Sequence, residues 1–251
     1  MDKKLAGKVA LITGGSRGLG AATAEALAAQ GADIAISYIA SEEKAAAVVA
    51  RLKTRGVRAI AAQADQGNPS ASAPLIRKIV ETFGRLDILV NNAAIALQGK
   101  TIDDPEIDNN AMDRQWLVNT MGVVANIRAA SRVIQDGGRI ISVGSGLGSR
   151  VLFPGTADYA ATKAAIIGYT RGVARDLGPR NITVNVVQAG LMDTDMAAAS
   201  RGKLPPIVME SHAIRRIAKV EEVAAAIVFL AGPDAGYVTG SILDVNGGYV
   251  A

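Results

Sequence analysis

The chain has 251 residues, of which 49% are hydrophobic and 20% charged; this is too apolar for a disordered chain and too often broken by charge and glycine to span a bilayer. With no cysteine and a single histidine, His212, disulfides, thiolate nucleophiles, thiolate zinc sites and cysteine-held iron–sulfur clusters are excluded, and no metal site is expected. The 27 basic and 23 acidic residues leave a net +4 and are intermixed, and aromatics are only 4%, which argues against a nucleic-acid-binding stripe and against a base-stacking surface.

Along the chain, short β-branched runs alternate with longer alanine-rich periodic stretches. Strands are expected at residues 9–13, 33–38, 57–63, 88–91, 139–143, 183–187 and 242–245. Most are continuously apolar, as strands covered on both faces are. Between them the periodicity predicts helices over 18–30, 42–55, 70–83, a long one over 109–134, then 157–177 and 221–230. Ser41 is placed to cap the second helix, and Gly31, Gly56, Gly84 and Gly178 stand where helices should stop. Pro74 is awkward inside the third helix unless that helix starts late or kinks. The segment 98–110 reads as a loop, and 191–212, with Pro205 and Pro206, as a mobile substrate flap. The opening residues carry no signal-peptide pattern, because their apolar stretch is short and runs into glycines. The expectation is a cytoplasmic protein without a membrane partner, built as one α/β domain over residues 1–251. Its core would be a Rossmann-like, doubly wound parallel sheet of about seven strands with helices on both faces.

Thr13, Gly14, Gly15, Ser16, Arg17, Gly18, Leu19 and Gly20 follow the first strand and open the first helix. Glycines there allow a tight turn and close backbone approach to a pyrophosphate, which the free N–H groups of the helix start attract. Alone, such a turn is also simply a tight βα connection; its place after the first strand favours a nucleotide. Near the end of the second strand, Tyr38 and Ser41 occur with no carboxylate before Glu42, where an acid would hold the ribose hydroxyls of NAD. Arg17 and Ser41 suit a 2′-phosphate instead, so NADP(H) is favoured as cofactor, although Arg17 also reads as an ordinary solvated loop arginine.

Tyr159 and Lys163, four residues apart, share one helix face. An ammonium beside a phenol, together with an oxidised nicotinamide, lowers the phenol pKa from about 10 toward working pH and suits acid–base work on a carbonyl. By itself the pair also describes an exposed helix face. Ser145, fourteen positions earlier, follows the fifth strand at the end where open α/β sheets bind ligands. Asn119 falls mid-helix, where asparagine is unhelpful, and is read as holding a water behind Lys163.

Taken in order, the glycine turn, Asp65, Asn91-Asn92-Ala93, Asn119, Ser145, Tyr159/Lys163, Gly190 with Thr194, and Asp244-Val245-Asn246-Gly247-Gly248 resemble the short-chain dehydrogenase/reductase family over essentially the whole chain. The likeness is greatest to its branch of 3-oxoacyl-acyl-carrier-protein and ketone reductases. The resemblance implies that Tyr159 protonates a carbonyl oxygen oriented by Ser145, that Lys163 holds the nicotinamide ribose and that Asn119 anchors the relay water. It also implies that Asp65 meets the adenine amino group, with Gln66 beside it, and that Asn91 and Ala93 line the adenosine ribose, with Asn92 between them also at the cofactor. Gly190, Met192 and Thr194 would face the nicotinamide end, and a homotetramer is implied. Three departures stand out: Ala189-Gly190 where the family has Pro-Gly, Ala94 where it has glycine, and a longer 98–110 segment.

Leu152, Phe153, Leu191 and Ile207 are candidate walls of an apolar substrate pocket, or simply flap packing. His212 is either a flap residue or a substrate contact, and Trp116 is read as core or subunit packing. Arg150 and Arg201 are candidate docking residues for an acyl carrier protein. The function expected is NADPH-dependent reduction of a small-molecule ketone or 3-oxoacyl thioester to a secondary alcohol. The alternatives are a nucleotide-binding regulator on the same fold and an NAD-dependent alcohol dehydrogenase.

Overall fold

A computed structural model describes residues 3–198, 206–249 and 251; Arg201 and Pro205 lie outside the described residues. Seven strands form one parallel sheet in the order β3-β2-β1-β4-β5-β6-β7. They are β1 (Val9–Ile12), β2 (Asp33–Tyr38), β3 (Ala59–Gln63), β4 (Ile88–Asn91), β5 (Arg139–Ser145), β6 (Thr183–Ala189) and β7 (Ile242–Val245). The helices are α1 (Gly18–Ala29), α2 (Glu42–Lys53), α3 (Ser72–Phe83), α4 (Asn109–Trp116), α5 (Gly122–Ser131), α6 (Ala157–Leu177), α7 (Asp195–Ala198), α8 (Pro206–Glu210) and α9 (Val220–Ala231).

The continuously apolar strands have the environment their composition demands, since every residue of β1, β4 and β6 is buried. Alternate residues feed two cores. Ala10 and Ile12 pack with Ile34, Leu27 and Ile227 on the face covered by α1, α2 and α9. Val9 and Leu11 pack with Ile79, Ile127 and Ile166 on the face covered by α3, α5 and α6. Burying a Leu or Ile side chain is worth about 1.5–3 kcal/mol, so this two-sided filling is what holds the strand ends in register for the site.

Three local expectations change. The long helix over 109–134 is interrupted by a π-helical turn at Leu117–Met121 that separates α4 from α5. The helix expected from residue 70 starts at Ser72, behind a 3₁₀ turn, Pro69–Ala71; Pro74 therefore falls in the first turn, where its missing N–H costs no hydrogen bond. Ser41 precedes α2 but makes no side-chain capping bond. Its first turn instead carries Glu42 and Glu43, which favour the positive end of the helix. The expected flap holds two short helices, α7 and α8, and Met192 pairs with Ala218 in an isolated bridge.

Asp87 fastens β4 to β1 at the end away from the site. Its carboxylate is buried, accepts from Val9 N at 3.0 Å and from Arg85 Nε at 2.8 Å, and lies 3.3 Å from Lys8 Nζ. Burial pushes its pKa up, but the Arg85 hydrogen bond, the Val9 N–H and the two cations outweigh that and hold it below the usual carboxylate range. A depressed carboxylate adds stability above its unfolded pKa of about 3.9 and loses it as pH falls through the folded value. Asp87→Asn should cost about 2 kcal/mol at neutral pH, and the gap in thermal midpoint between wild type and variant should close below about pH 4.

Candidate active site

A cleft of about 760 Å³ runs across the C-terminal ends of β1, β2, β4, β5 and β6, the edge where open parallel sheets take ligands. One half is the glycine turn. The N–H of Gly15 bonds to Ser37 O at 2.9 Å and that of Gly14 to Ser37 Oγ at 3.3 Å, fixing the turn on β2. Gly20 has no room for a side chain, because a Cβ there would meet Gly14 O at 2.4 Å and Asn92 Nδ2 at 2.6 Å. Backbone N–H groups at the start of α1 thus open directly on the cleft, a cradle that fits the pyrophosphate of a dinucleotide. At its mouth Arg17 NH1 lies 3.2 Å from Asp195 Oδ2, and Lys44 Nζ lies 3.9 Å from the same oxygen.

Asp65 also lines this half. Its Oδ1 accepts from Gly67 N at 2.8 Å and pairs with Arg114. Burial raises its pKa, but the Arg114 hydrogen bond, the Gly67 N–H and the Arg114 charge together hold it below the ordinary value. Gln66 spans the floor, donating to Ala93 O at 2.7 Å and Val118 O at 2.9 Å.

In the other half Tyr159 and Lys163, on α6, are buried beneath the end of β5. Lys163 Nζ donates to Val143 O at 3.0 Å and stands 5.8 Å from the centre of the Tyr159 ring. Burial lowers the Lys163 pKa to about 8, so the ammonium is charged at neutral pH and loses its proton just above it. In the protein alone, burial pushes the Tyr159 pKa up, and the Ser145 hydrogen bond opposes it only in part.

Asn119 stands behind these groups rather than in the cleft wall. Its Oδ1 accepts from Ile95 N and its Nδ2 donates to Ile95 O, both at 2.9 Å, and Nδ2 also reaches Thr162 Oγ1 at 3.3 Å. The side chain thus braces Ile95 against Thr162. The π turn is what aims it: one extra residue rotates the following helix by about 100°, leaving Val118 and Asn119 buried and Leu117 and Met121 exposed.

Gly14, Ser16, Arg17, Gly18, Leu19, Gly20, Tyr38, Ser41, Asp65, Gln66, Asn92, Ala93, Ser145, Phe153, Tyr159, Lys163, Gly190, Leu191, Met192 and Thr194 all line the cleft as expected from the sequence. Besides Asn119, three of the expected residues do not. Asn91 is buried under the sheet, bonded to Ser142 Oγ and Asn126 Nδ2. Ile207 is exposed while its neighbour Val208 faces the cleft, and Leu152 stands outside the lining. Trp116, read as packing, donates from Nε1 to Asp158 Oδ1 at 2.8 Å and so ties α4 to the first turn of α6, beside Tyr159. Arg114 and Tyr249 were not singled out, because a mid-helix arginine and a tyrosine near the chain end carry no spacing signal. The loops bearing Gln98 and Phe153 meet backbone to backbone: Gly99 N donates to Gly155 O at 2.8 Å, and a Cβ on Gly155 would come within 2.9 Å of Gly99 C.

A family model described as enoyl-(acyl carrier protein) reductase matches residues 14–250. The chain is similar to a short chain dehydrogenase from Burkholderia cenocepacia, solved in complex with NADP, at 46% identity and TM-score 0.92, covering 99% of this chain and 100% of that one. It is 38% identical to the cyclic-di-GMP-binding biofilm dispersal mediator protein of Escherichia coli, covering 98% of each chain. It is also 38% identical to a 3-oxoacyl-[acyl-carrier-protein] reductase of Staphylococcus aureus, covering 96% of this chain and 97% of the relative.

The burial of the phenol has a spectroscopic consequence in the protein alone. Titrated by phenolate absorbance, wild type and Tyr159→Phe should give the same rise up to pH about 10, and the step assigned to Tyr159 should appear only at higher pH. A difference between the two proteins below pH about 9 would contradict the raised value.

Proposed function

The chain belongs to the short-chain dehydrogenase/reductase family, and from that premise we propose that it reduces a ketone or 3-oxoacyl thioester to a secondary alcohol with NADPH. The observation that carries the reading is the meeting of Ser145, Tyr159 and Lys163 in the same cleft as the glycine turn. Bound NADPH supplies the hydride to the carbonyl carbon. Tyr159, kept protonated by burial, gives its proton to the carbonyl oxygen, and the Ser145 hydroxyl donates a hydrogen bond to that oxygen. Lys163 holds the nicotinamide ribose hydroxyls and keeps a positive charge beside the phenol as its proton leaves. Arg17, with Ser41 and Tyr38 near the end of β2, receives the 2′-phosphate, since a guanidinium matches phosphate geometry. Asp65 and Gln66 stand at the adenine side, Asn92 and Ala93 at the adenosine ribose, and Met192, Gly190 and Thr194 at the nicotinamide.

A homotetramer is the assembly this reading favours. Exposed Leu117 and Met121 mark one apolar face, and exposed Phe229 and Tyr237 another near β7, an edge strand of the sheet. Residues 1–251 are taken as one domain with 191–212 as the substrate flap, in a cytoplasmic protein. No helix among the described residues is long and apolar enough to cross a membrane. A nucleotide-binding regulator is the second reading, favoured by the likeness to the cyclic-di-GMP-binding relative. Tight cyclic-di-GMP binding without turnover of any carbonyl would select it.

Purified protein should oxidise NADPH with members of a panel containing an acetoacetyl thioester and bulky aryl ketones. Tyr159→Phe should lower kcat/KM by at least about 100-fold; no oxidation across the panel and no effect of that substitution would overturn the reading. Because Lys163 titrates near 8, kcat/KM for reduction should be level through neutral pH and fall above about pH 8. Arg17→Ala should shrink the preference for NADPH over NADH by about tenfold or more, whereas an unchanged ratio would place phosphate recognition elsewhere.

A further inference from the structure

His212 stands apart from the groups that this reaction uses. It lies two residues beyond α8 and is only 6% exposed, yet it lines the cleft with Phe153, Met196, Val208 and Tyr249. Its Nδ1 is 2.6 Å from Val208 O. A carbonyl oxygen can only accept, so Nδ1 carries the proton, and in the neutral tautomer that this bond selects the acceptor is Nε2. Cδ2 faces Gly247, where a Cβ would come within 3.5 Å of it, and the ring tilts by 47° against Tyr249 with centroids 5.2 Å apart. The Val208 bond and the Tyr249 contact hold the ring where it lines the cleft. Among the described residues Nε2 has no hydrogen-bond partner.

The surroundings define what that edge can recognise. Phe153, Met196 and Val208 make the adjoining wall apolar. Besides His212, the cleft-lining side chains able to carry positive charge, among those described, are Arg17, Arg114 and Lys163. Arg17 is paired with Asp195, Arg114 with Asp65, and Lys163 donates to Val143 O under β5. A buried acceptor covered by purely apolar substrate surface is desolvated without compensation, whereas a substrate donor restores its hydrogen bond.

We propose that His212 is a specificity-determining residue, and that the substrate is a ketone whose apolar flank carries a hydrogen-bond donor, a hydroxyl or an N–H, directed at Nε2. The proposal rests on the reading of the cleft as a carbonyl-reducing site. A hydroxyl source and an amide source of that donor are separable. One arm compares meta- and para-hydroxyphenyl methyl ketones with their methoxy and unsubstituted analogues. The other compares the 3-oxobutanoyl thioester of N-acetylcysteamine with the S-butyl thioester, which lacks the amide.

In at least one arm wild type should prefer the donor-bearing partner by about tenfold or more in kcat/KM. His212→Phe should bring the pair to within about twofold while leaving the donorless partner within a few-fold of wild type. His212→Met gives the same readout if the larger ring does not fold, and His212→Gln, whose side-chain oxygen can accept, should restore the preference. Equal turnover of both partners by wild type in both arms overturns the proposal and leaves carbonyl reduction standing, as does a preference that survives His212→Phe or His212→Met. A protein that reduces no ketone overturns both.

Discussion

One side-chain amide holds both polar atoms of the Ile95 backbone. Asn119 accepts from its N–H and donates to its carbonyl, and the same Nδ2 touches Thr162, whose hydroxyl bonds to Tyr159 O at 2.7 Å. The chain segment leaving β4 and the helix that carries the phenol are therefore fixed to a single residue. Gln66 repeats the device one layer away by gripping Ala93 O and Val118 O. The π turn is what turns Asn119 inward to make these bonds. Such turns cost helix regularity and persist where a side chain must be aimed.

Around that frame the electrostatics divide by function. The half at the glycine turn is rich in charge, with Arg17 and Lys44 at Asp195 and Arg114 paired with Asp65. The reacting half holds one buried cation and one buried phenol, both pushed by desolvation toward their neutral forms. A neutral phenol is the form needed to give up a proton. A cation that titrates near 8 lies close enough to neutrality to follow that proton's departure. Burial thus keeps the phenol in the protonated form that the proposed acid role needs.

The sheet was legible in the sequence because each strand is a short apolar run punctuated by helix-forming stretches, and all seven lie where that pattern placed them. Ser145, Tyr159, Lys163 and the glycine turn were legible because their chemistry fits a spacing. What escaped were features that depend on neighbours distant in the chain. The π turn leaves no mark in a run that reads as continuous helix. Asn91 and Asn92 are adjacent and identical in type, and only the pleat of β4 decides that the first is buried while the second reaches the cleft. Ile207 and Val208 exchanged roles for a similar reason, since the phase of the short helix α8 could not be read from two prolines. Arg114 needed Asp65, 49 residues away, to acquire a role at all.

The seam between Gly99 and Gly155 sets a dimension that side chains cannot tune. Two polypeptide backbones in close contact, stitched by one 2.8 Å bond, form a lintel joining the segments from which Gln98 and Phe153 line the cleft. Gln98 and Phe153, one and two residues from that seam, hang from the lintel on opposite sides. Exchanging either alters the shape of the doorway without moving its frame, whereas a single methyl group at residue 155 would prise the two jambs apart.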